Sequence, residues 1–154
     1  MSQQIVKNKI EEFISKADFI IDSCDVVDED GTLWCSIRTP DSRFLIGRDG
    51  DALRSLNYII KKMVEKELGE EQCPEIIIDV NGYQKKRMDT LKATAHMLAE
   101  RARYFKSNIE ADPMTAFDRR IIHMYLEKEK DIFTESIGEG LNRKVVIKYV
   151  ENRI

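Results

Sequence analysis

Cysteine and histidine are scarce in this chain, and their spacing argues against a metal site. Only three of the 154 residues are cysteine and two are histidine. Cys24, Cys35 and Cys73 are an odd number without a C-x-x-C pair. Because zinc sites need clustered Cys and His ligands, we expect neither a metal nor another cofactor. The N-terminus lacks an apolar signal core, so we expect reduced thiols in a cytoplasmic protein.

Long apolar runs and the common catalytic motifs are also absent. No segment approaches the roughly 20 apolar residues that a transmembrane helix needs. The chain contains no nucleophile elbow, P-loop or HExxH sequence. His123, Glu135 and Ser136 form an imaginable triad, but the loop that follows is better explained as a phosphate-binding turn. We therefore predict a protein that is not an enzyme and does not span a membrane.

Charge is distributed unevenly, although the net charge is only −3. Residues 1–37 contain three Lys or Arg against eight Asp or Glu, and residues 63–82 contain one against six. The balance reverses in residues 38–62, with six against three, and in residues 83–107, with seven against two. The basic segments favour an anionic partner, and the alternative is an ordinary fluctuation of surface charge.

Periodicity in the first half predicts a helix, a hairpin, a second helix and a strand. A first helix is predicted within residues 3–16, and a strand is predicted from Phe19–Ile21 and Val26-Val27. Asp30-Gly31 is typical of a hairpin turn, with Leu33–Ile37 as the returning strand. A short helical turn through Phe44–Ile46, a helix from Asp49 to Leu68 and a strand over Glu75–Val80 follow.

The second half predicts two helices and two strands. One long helix, Tyr83–Lys106, is expected to bury Leu91, Ala95, Leu98, Ala102 and Phe105. A second stripe of that helix contains Lys85, Lys92, His96 and Arg103, and is either a solvated face or an RNA-contacting one. Thr115-x-x-Asp118 predicts a capped helix that buries Phe117, Ile121, Met124 and Tyr125. Strands over Ile132–Thr134 and Lys144–Val150 are joined by a loop at residues 138–142.

A G-x-x-G loop is the first motif with a binding chemistry. Gly47, Arg48, Asp49 and Gly50 follow an apolar pair and open an amphipathic helix. Glycines let a sugar-phosphate chain approach the backbone, and the helix start offers free N–H groups. Arg48 is the candidate phosphate partner. Asp49 would repel phosphate by about 1 kcal/mol, and its alternative role is to cap the helix.

Arg119 and His123 form the second motif, one turn apart on a predicted helix. A permanently charged guanidinium beside an imidazole suits phosphate binding better than bond making. A Gly-rich segment and a basic pair come next in the sequence. The candidate contacts from that region are Thr134, Ser136, Gly138, Gly140 and Arg143.

Together these motifs resemble known families of nucleic-acid-binding domains. The loop Leu45–Leu53 resembles the GxxG loop of KH domains, and the Arg119–His123 pair resembles the R-three-H domain. KH followed by R-three-H is the arrangement of the Jag family (SpoIIIJ-associated proteins). The resemblance implies an α+β fold: a type II-like KH domain, residues 1–82, packed against a small α/β R-three-H domain, residues 83–154.

The resemblance also implies a function, which is a two-site grip on single-stranded RNA, with single-stranded DNA as the other candidate. In the family this activity is linked to post-transcriptional control and to cell elongation and division. Longer members carry an additional N-terminal domain, whereas about 30 residues precede the KH-like core here. The basic stripe of the long helix is expected to connect the two phosphate-gripping sites.

The alternative interpretation is a protein–protein interaction module. KH domains of this kind form homodimers or pair with a second small KH protein, and the acidic first 37 residues would then matter more. Salt dependence separates the two, since RNA binding weakens as salt rises. The sequence leaves the RNA target, its preferred bases and the oligomeric state open.

Overall fold

The structure is a computed structural model, and it describes residues 1–151. The chain divides into two compact units, Met1–Lys85 and Lys86–Ile154. The sequence predicted the boundary after residue 82, just before the long helix Tyr83–Phe105, and the division in the structure falls inside the first turn of that helix. Within the described residues, no helix has the length and apolar character to cross a bilayer.

The first unit is a three-stranded sheet with three helices. Its elements are α1 (Ser2–Lys16), β1 (Ser23–Glu29), β2 (Thr32–Arg38), α2 (Ser42–Ile46), α3 (Asp51–Leu68) and β3 (Glu75–Val80). The strand order is β1-β2-β3; β1 and β2 are antiparallel, and β2 and β3 are parallel. The predicted sequence of helix, hairpin, short helix, helix and strand is therefore present. A parallel pair requires a crossover, which α2 and α3 provide here.

The core of this unit forms between the helices and the sheet. Helix α1 buries Val6, Ile10 and Ile14, spaced four residues apart on one face. Helix α3 contributes Leu53, Leu56, Ile60 and Val64. Cys24 and Cys35 lie in the same core, where burial raises the pKa of their thiols to about 11 and about 12. Both thiols are therefore protonated near neutral pH, and all three cysteines are free.

The prediction of a strand at Phe19–Ile21 is wrong. This segment connects α1 to β1 without joining the sheet. The Thr39 hydroxyl donates to the Ile20 carbonyl at 2.5 Å, and the Ile20 N–H donates to an Asp41 carboxylate oxygen at 2.9 Å. Side chains therefore satisfy the backbone groups that a neighbouring strand would otherwise bind.

Asn57 of α3 forms hydrogen bonds with backbone groups at the outer edge of β3. Its side-chain amide donates to the Ile76 carbonyl at 3.1 Å and accepts from the Ile78 N–H at 2.9 Å. These two bonds occupy backbone groups that would otherwise be available to an added strand. The side chain thus fixes α3 to the sheet and protects the edge at this point.

The second unit is another three-stranded sheet with helices. Helix α4 (Tyr83–Phe105) leads into it, followed by β4 (Ile109–Glu110), α5 (Ala116–Leu126), β5 (Ile132–Ile137) and β6 (Lys144–Tyr149). The strand order is β4-β6-β5, with both pairs antiparallel. The short strand β4 was not predicted from the sequence. Two residues are too few for a period-2 pattern to be recognised.

The buried faces of α4 and α5 differ in part from those predicted. In α4, Ala95, Leu98, Ala99 and Ala102 are buried, but Phe105, in the last turn, is 64% exposed. In α5, Ile121 is buried as predicted, together with Asp118, Ile122 and Leu126. Met124 and Tyr125 are 55% and 39% exposed, which contradicts their predicted burial. Positions 118, 122 and 126 form an i, i+4, i+8 row, so these three buried residues share one side of the helix.

Candidate nucleic-acid interface

Helix α5 begins with a cap and a buried ion pair. The Thr115 hydroxyl accepts a hydrogen bond from the Asp118 N–H at 3.3 Å, so the predicted cap is present. Asp118 is 2% exposed, and both of its carboxylate oxygens accept from Arg87 of α4, at 3.1 and 2.5 Å. A bidentate arginine–carboxylate pair fixes distance and angle together. It therefore sets the position of α5 against α4.

His123 connects α5 to β5 through both ring nitrogens. Nδ1 lies 2.6 Å from the Thr134 Oγ1 atom, and Nε2 lies 2.8 Å from the Ser136 Oγ atom. Thr134 and Ser136 are two residues apart on a strand, so their side chains share one face of the sheet. The structure thus brings together three of the predicted site residues.

The environment of His123 favours its neutral form. Burial lowers the pKa of the imidazole, and the positive charge of Arg119 lowers it further. A neutral ring has one N–H donor and one acceptor nitrogen. One hydroxyl therefore donates to the ring, whereas the other accepts from it and keeps its own proton available to a ligand oxygen. His123 thus orients two hydroxyls and supplies no positive charge.

The positive charge comes from Arg119 and Arg143, which both hydrogen-bond to the backbone of Met114, Arg119 through its guanidinium and Arg143 through its own backbone carbonyl. Arg119 Nη1 donates to the Met114 carbonyl at 2.7 Å, and the Met114 N–H donates to the Arg143 carbonyl at 3.1 Å. Arg143 Nη1 donates to the Gly138 carbonyl at 2.9 Å. Both arginine side chains are half-buried. Met114 is a contact that the sequence motifs did not indicate.

The loop after β5 begins later than predicted. Thr134, Glu135, Ser136 and Ile137 belong to β5, so Thr134 and Ser136 lie on a strand, outside the glycine-rich loop. Gly138 has a φ of +86°, and a Cβ atom there would lie 3.0 Å from the Asn142 carbonyl oxygen. Glycine is therefore needed to hold this turn. Gly140 is exposed and starts a short 3-10 turn that ends at Asn142.

Arg103 is surrounded by carboxylates that the sequence did not indicate as its partners. Its guanidinium donates to Asp131 at 2.7 and 2.8 Å, to Glu100 at 2.6 Å and to Glu129 at 2.7 Å. Hydrogen bonds to these carboxylates raise its pKa further above the ordinary arginine value. Three carboxylates surround this cation, so it is poorly placed to bind a phosphate. Lys85 and Lys92, predicted for the same stripe, are exposed.

In the first unit, the G-x-x-G loop adopts a conformation that glycine permits. Gly47, Asp49 and Gly50 have φ values of +72°, +52° and +81°. A Cβ atom on Gly47 would lie 2.7 Å from the Ala52 Cβ atom, which is too close for any other residue. Asp49 is exposed at the tip of the loop, and Arg48 beside it is exposed as well. The loop therefore presents one positive and one negative side chain to solvent.

The alternative role of Asp49 as a helix cap is not observed. Gly50 is the N-cap residue of α3, and no side chain caps this helix. Asp51 forms an ion pair with Arg54, and Arg54 also donates to the Asp49 carbonyl at 2.9 Å. The Asp49 carboxylate is thus not required by the start of α3. Over residues 1–151, no group of three His, Cys, Asp or Glu side chains is arranged to hold a metal ion.

A known protein family matches the part of the chain that contains α5 and β5. Residues 89–149 match the R-three-H domain family. The chain is also 32% identical to the RNA-binding protein KhpB of Clostridium symbiosum over 119 residues, which is 77% of this chain and 53% of that protein. This chain belongs to the Jag-like R-three-H proteins. The predicted family is therefore confirmed, and the domain match includes Arg119, His123, Thr134, Ser136 and Arg143.

The similarity to Jag-like proteins extends beyond the R-three-H domain. The RNA-binding protein KhpB of Bacillus subtilis is 34% identical over 107 residues, which is 68% of this chain and 50% of that protein. The second unit has 69 residues, so the 119-residue match to the Clostridium protein includes at least 50 residues of the first unit. The chain spans about half the length of these curated relatives.

Proposed function

We propose that this chain binds single-stranded RNA by its sugar-phosphate backbone, using the R-three-H surface formed by Arg119, His123, Thr134, Ser136 and Arg143. The observation that carries the proposal is that Arg119 lies one turn before His123, whose ring nitrogens hydrogen-bond to the hydroxyls of Thr134 and Ser136. The backbone of Arg143 is joined to Met114, the residue whose carbonyl accepts from the Arg119 guanidinium. Both KhpB relatives are named as RNA-binding proteins, and that name supports the same ligand here.

The chemistry of this surface suits a phosphate ester. Each guanidinium has five N–H donors, and its hydrogen bond to a backbone carbonyl uses one of them. The remaining donors match the oxygens of a phosphate, and a hydroxyl adds a neutral donor. Because such contacts do not reach base edges, they give affinity without sequence readout.

We further propose that the first unit is a KH domain of type II and that its Gly47–Gly50 loop holds a second stretch of backbone. The order of elements, the parallel pairing of β2 with β3 and the positive φ values of the loop support this assignment. Arg48 is the phosphate partner in the proposal, and Lys85 and Lys92 are additional cations. Arg103 is not included. Post-transcriptional regulation linked to cell elongation and division is the cellular role that we propose.

The test is a salt series with an unstructured RNA oligomer and the whole chain. Arg119→Gln and Arg143→Gln each remove one guanidinium, and Arg101→Gln removes an exposed arginine of α4 as a matched control. For single strands, the slope of log K against log salt is about −0.7 for each phosphate contacted. Each site variant should lose affinity and flatten the slope by about this amount, while the control keeps the wild-type slope. Equal slopes in all four proteins would overturn the backbone-binding proposal.

The alternative of a protein–protein module predicts a different result. Apolar pairing between proteins does not release condensed counterions, so its affinity depends weakly on salt. Sedimentation of the chain with and without RNA, at low and high salt, distinguishes the two functions.

A further inference from the structure

A groove lies between the C-terminal half of α5 and strand β5, directly beside His123. It has a volume of about 640 Å³ and is lined by His123, Met124, Lys130, Ile132, Phe133 and Thr134, among others. This volume lies within the usual range for small-ligand sites, roughly 300–1,000 Å³. His123 and Thr134 are shared between the groove and the proposed backbone site.

The interior of the groove is apolar, whereas the backbone site beside it is polar. Met124 is 55% exposed, although Ile122 and Leu126 on either side of it in α5 are buried. Ile132 is buried, and Phe133 next to it is half-buried. An exposed apolar side chain beside a polar site more often marks a contact surface than a defect of packing.

Charged side chains of both signs line the groove, two carboxylates and Lys130, and the carboxylates disfavour the backbone itself. Glu127 and Glu129 line the groove, and Glu129 is already bonded to Arg103. These carboxylates would repel a phosphate. They would, however, accept hydrogen bonds from the amino and imino groups of a base.

We propose that this groove receives an unpaired nucleobase of the strand whose phosphates lie at Arg119 and Arg143. The inference rests on the proposed function, and it adds a base subsite to a backbone site. Arg119 lies four residues before His123, about 6 Å along the helix axis, and His123 lines the groove. A strand that follows α5 from the arginines therefore brings its next base to Met124 and Phe133. In this proposal the apolar interior covers the faces of the base, and Lys130 and Glu127, which also line the groove, supply polar partners for its edge.

The experiment compares two oligomers and two methionine variants of the whole chain. One oligomer is a single-stranded RNA, and the other is an abasic oligoribonucleotide of the same length and charge. Met124→Ala removes the apolar side chain at the groove. Met97→Ala removes a methionine of α4 with similar exposure, 49%, and serves as the matched control.

Wild type should bind the RNA more tightly than the abasic strand, and Met124→Ala should lose about fivefold in affinity for the RNA alone. Met97→Ala should leave both affinities unchanged. If Met124→Ala binds RNA like wild type, or if wild type binds both oligomers equally, the base subsite is wrong and the backbone proposal survives. If wild type binds neither oligomer, both proposals are wrong.

A direct readout does not depend on the variants. RNA containing 4-thiouridine crosslinks to side chains that touch the base. After irradiation and digestion of the wild-type complex, adducts should map to the segment 123–134. Adducts that map only to other segments would overturn the subsite.

Discussion

Arg87 and Asp118 form a bidentate ion pair in which the carboxylate is nearly fully buried, while the arginine is 37% exposed. Asp118 lies in the first turn of α5 and immediately precedes Arg119. The pair therefore holds the start of the helix that carries the candidate site. The Arg87–Asp118 contact therefore contributes both to the stability of the fold and to the position of the site.

Arg87→Met should lower the free energy of unfolding by about 2 kcal/mol, because it leaves a buried carboxylate without its cation. The value is below that for a fully buried pair, since solvent reaches the guanidinium. Urea unfolding measures the change. Arg101→Met, an exposed arginine of the same helix, is the control and should change stability by less than about 0.5 kcal/mol. Equal losses would show that the ion pair adds nothing beyond a surface arginine.

The folded state should become less stable in mild acid because His123 becomes protonated. Its pKa is lowered in the folded state, so the unfolded chain binds the proton more tightly. The stabilisation is complete above the unfolded pKa, about 6.5, and is lost as pH falls from there toward the folded value. Unfolding experiments between neutral and mildly acidic pH, comparing wild type with His123→Gln, should show this slope only in wild type.

Charge changes at the G-x-x-G loop should alter RNA affinity in opposite directions. Arg48→Asp is expected to weaken binding, and Asp49→Lys to strengthen it, each by several-fold at low salt. Arg48→Asp should not alter the unfolding midpoint, because this side chain is exposed in the loop. Asp49→Lys should lower the midpoint slightly, because Asp49 has a φ of +52° and lysine tolerates this conformation less well than aspartate. Lys66→Asp, near the far end of α3, controls for net charge. An affinity that follows net charge alone, wherever the change is made, would argue against a site at this loop.

Gly47→Ala should destabilise the first unit more than Gly31→Ala. Both glycines have positive φ values, +72° and +88°, which cost an alanine roughly 1–2 kcal/mol. At Gly31 a Cβ atom meets nothing within 4 Å, whereas at Gly47 it meets the backbone nitrogen of Ala52 at 2.8 Å. The difference between the stability losses of the two variants therefore measures the cost of the close contact between the added Cβ atom and Ala52. Identical losses would mean that the loop relaxes around the added methyl group.

Much of the architecture was readable from local pattern. Helix α1 repeats its apolar residues every four positions, and β3 is a short run of β-branched residues. The Asp30-Gly31 turn and the Thr115 cap use side chains with local backbone preferences, so a short window of sequence suffices. The Arg119–His123 spacing likewise required only the helical period.

Tertiary structure alone decided which partners these residues have. Phe19–Ile21 has the composition of a strand, but Thr39 and Asp41 bind its backbone, and these lie about 20 residues away in sequence. Arg103 has the helical position of an RNA contact, but the fold places Asp131 and Glu129 around it.

The sequence by itself determined the helical spacing, the glycine positions and the charge of the candidate site. The fold determined that the neutral form of His123 is favoured and that two hydroxyls of β5 are aligned on its ring. It also determined that Met114 binds the guanidinium of Arg119 and the backbone carbonyl of Arg143. Local pattern depends on backbone geometry over a few residues. Burial, pKa and hydrogen-bond partners depend on residues that only the packed chain brings together.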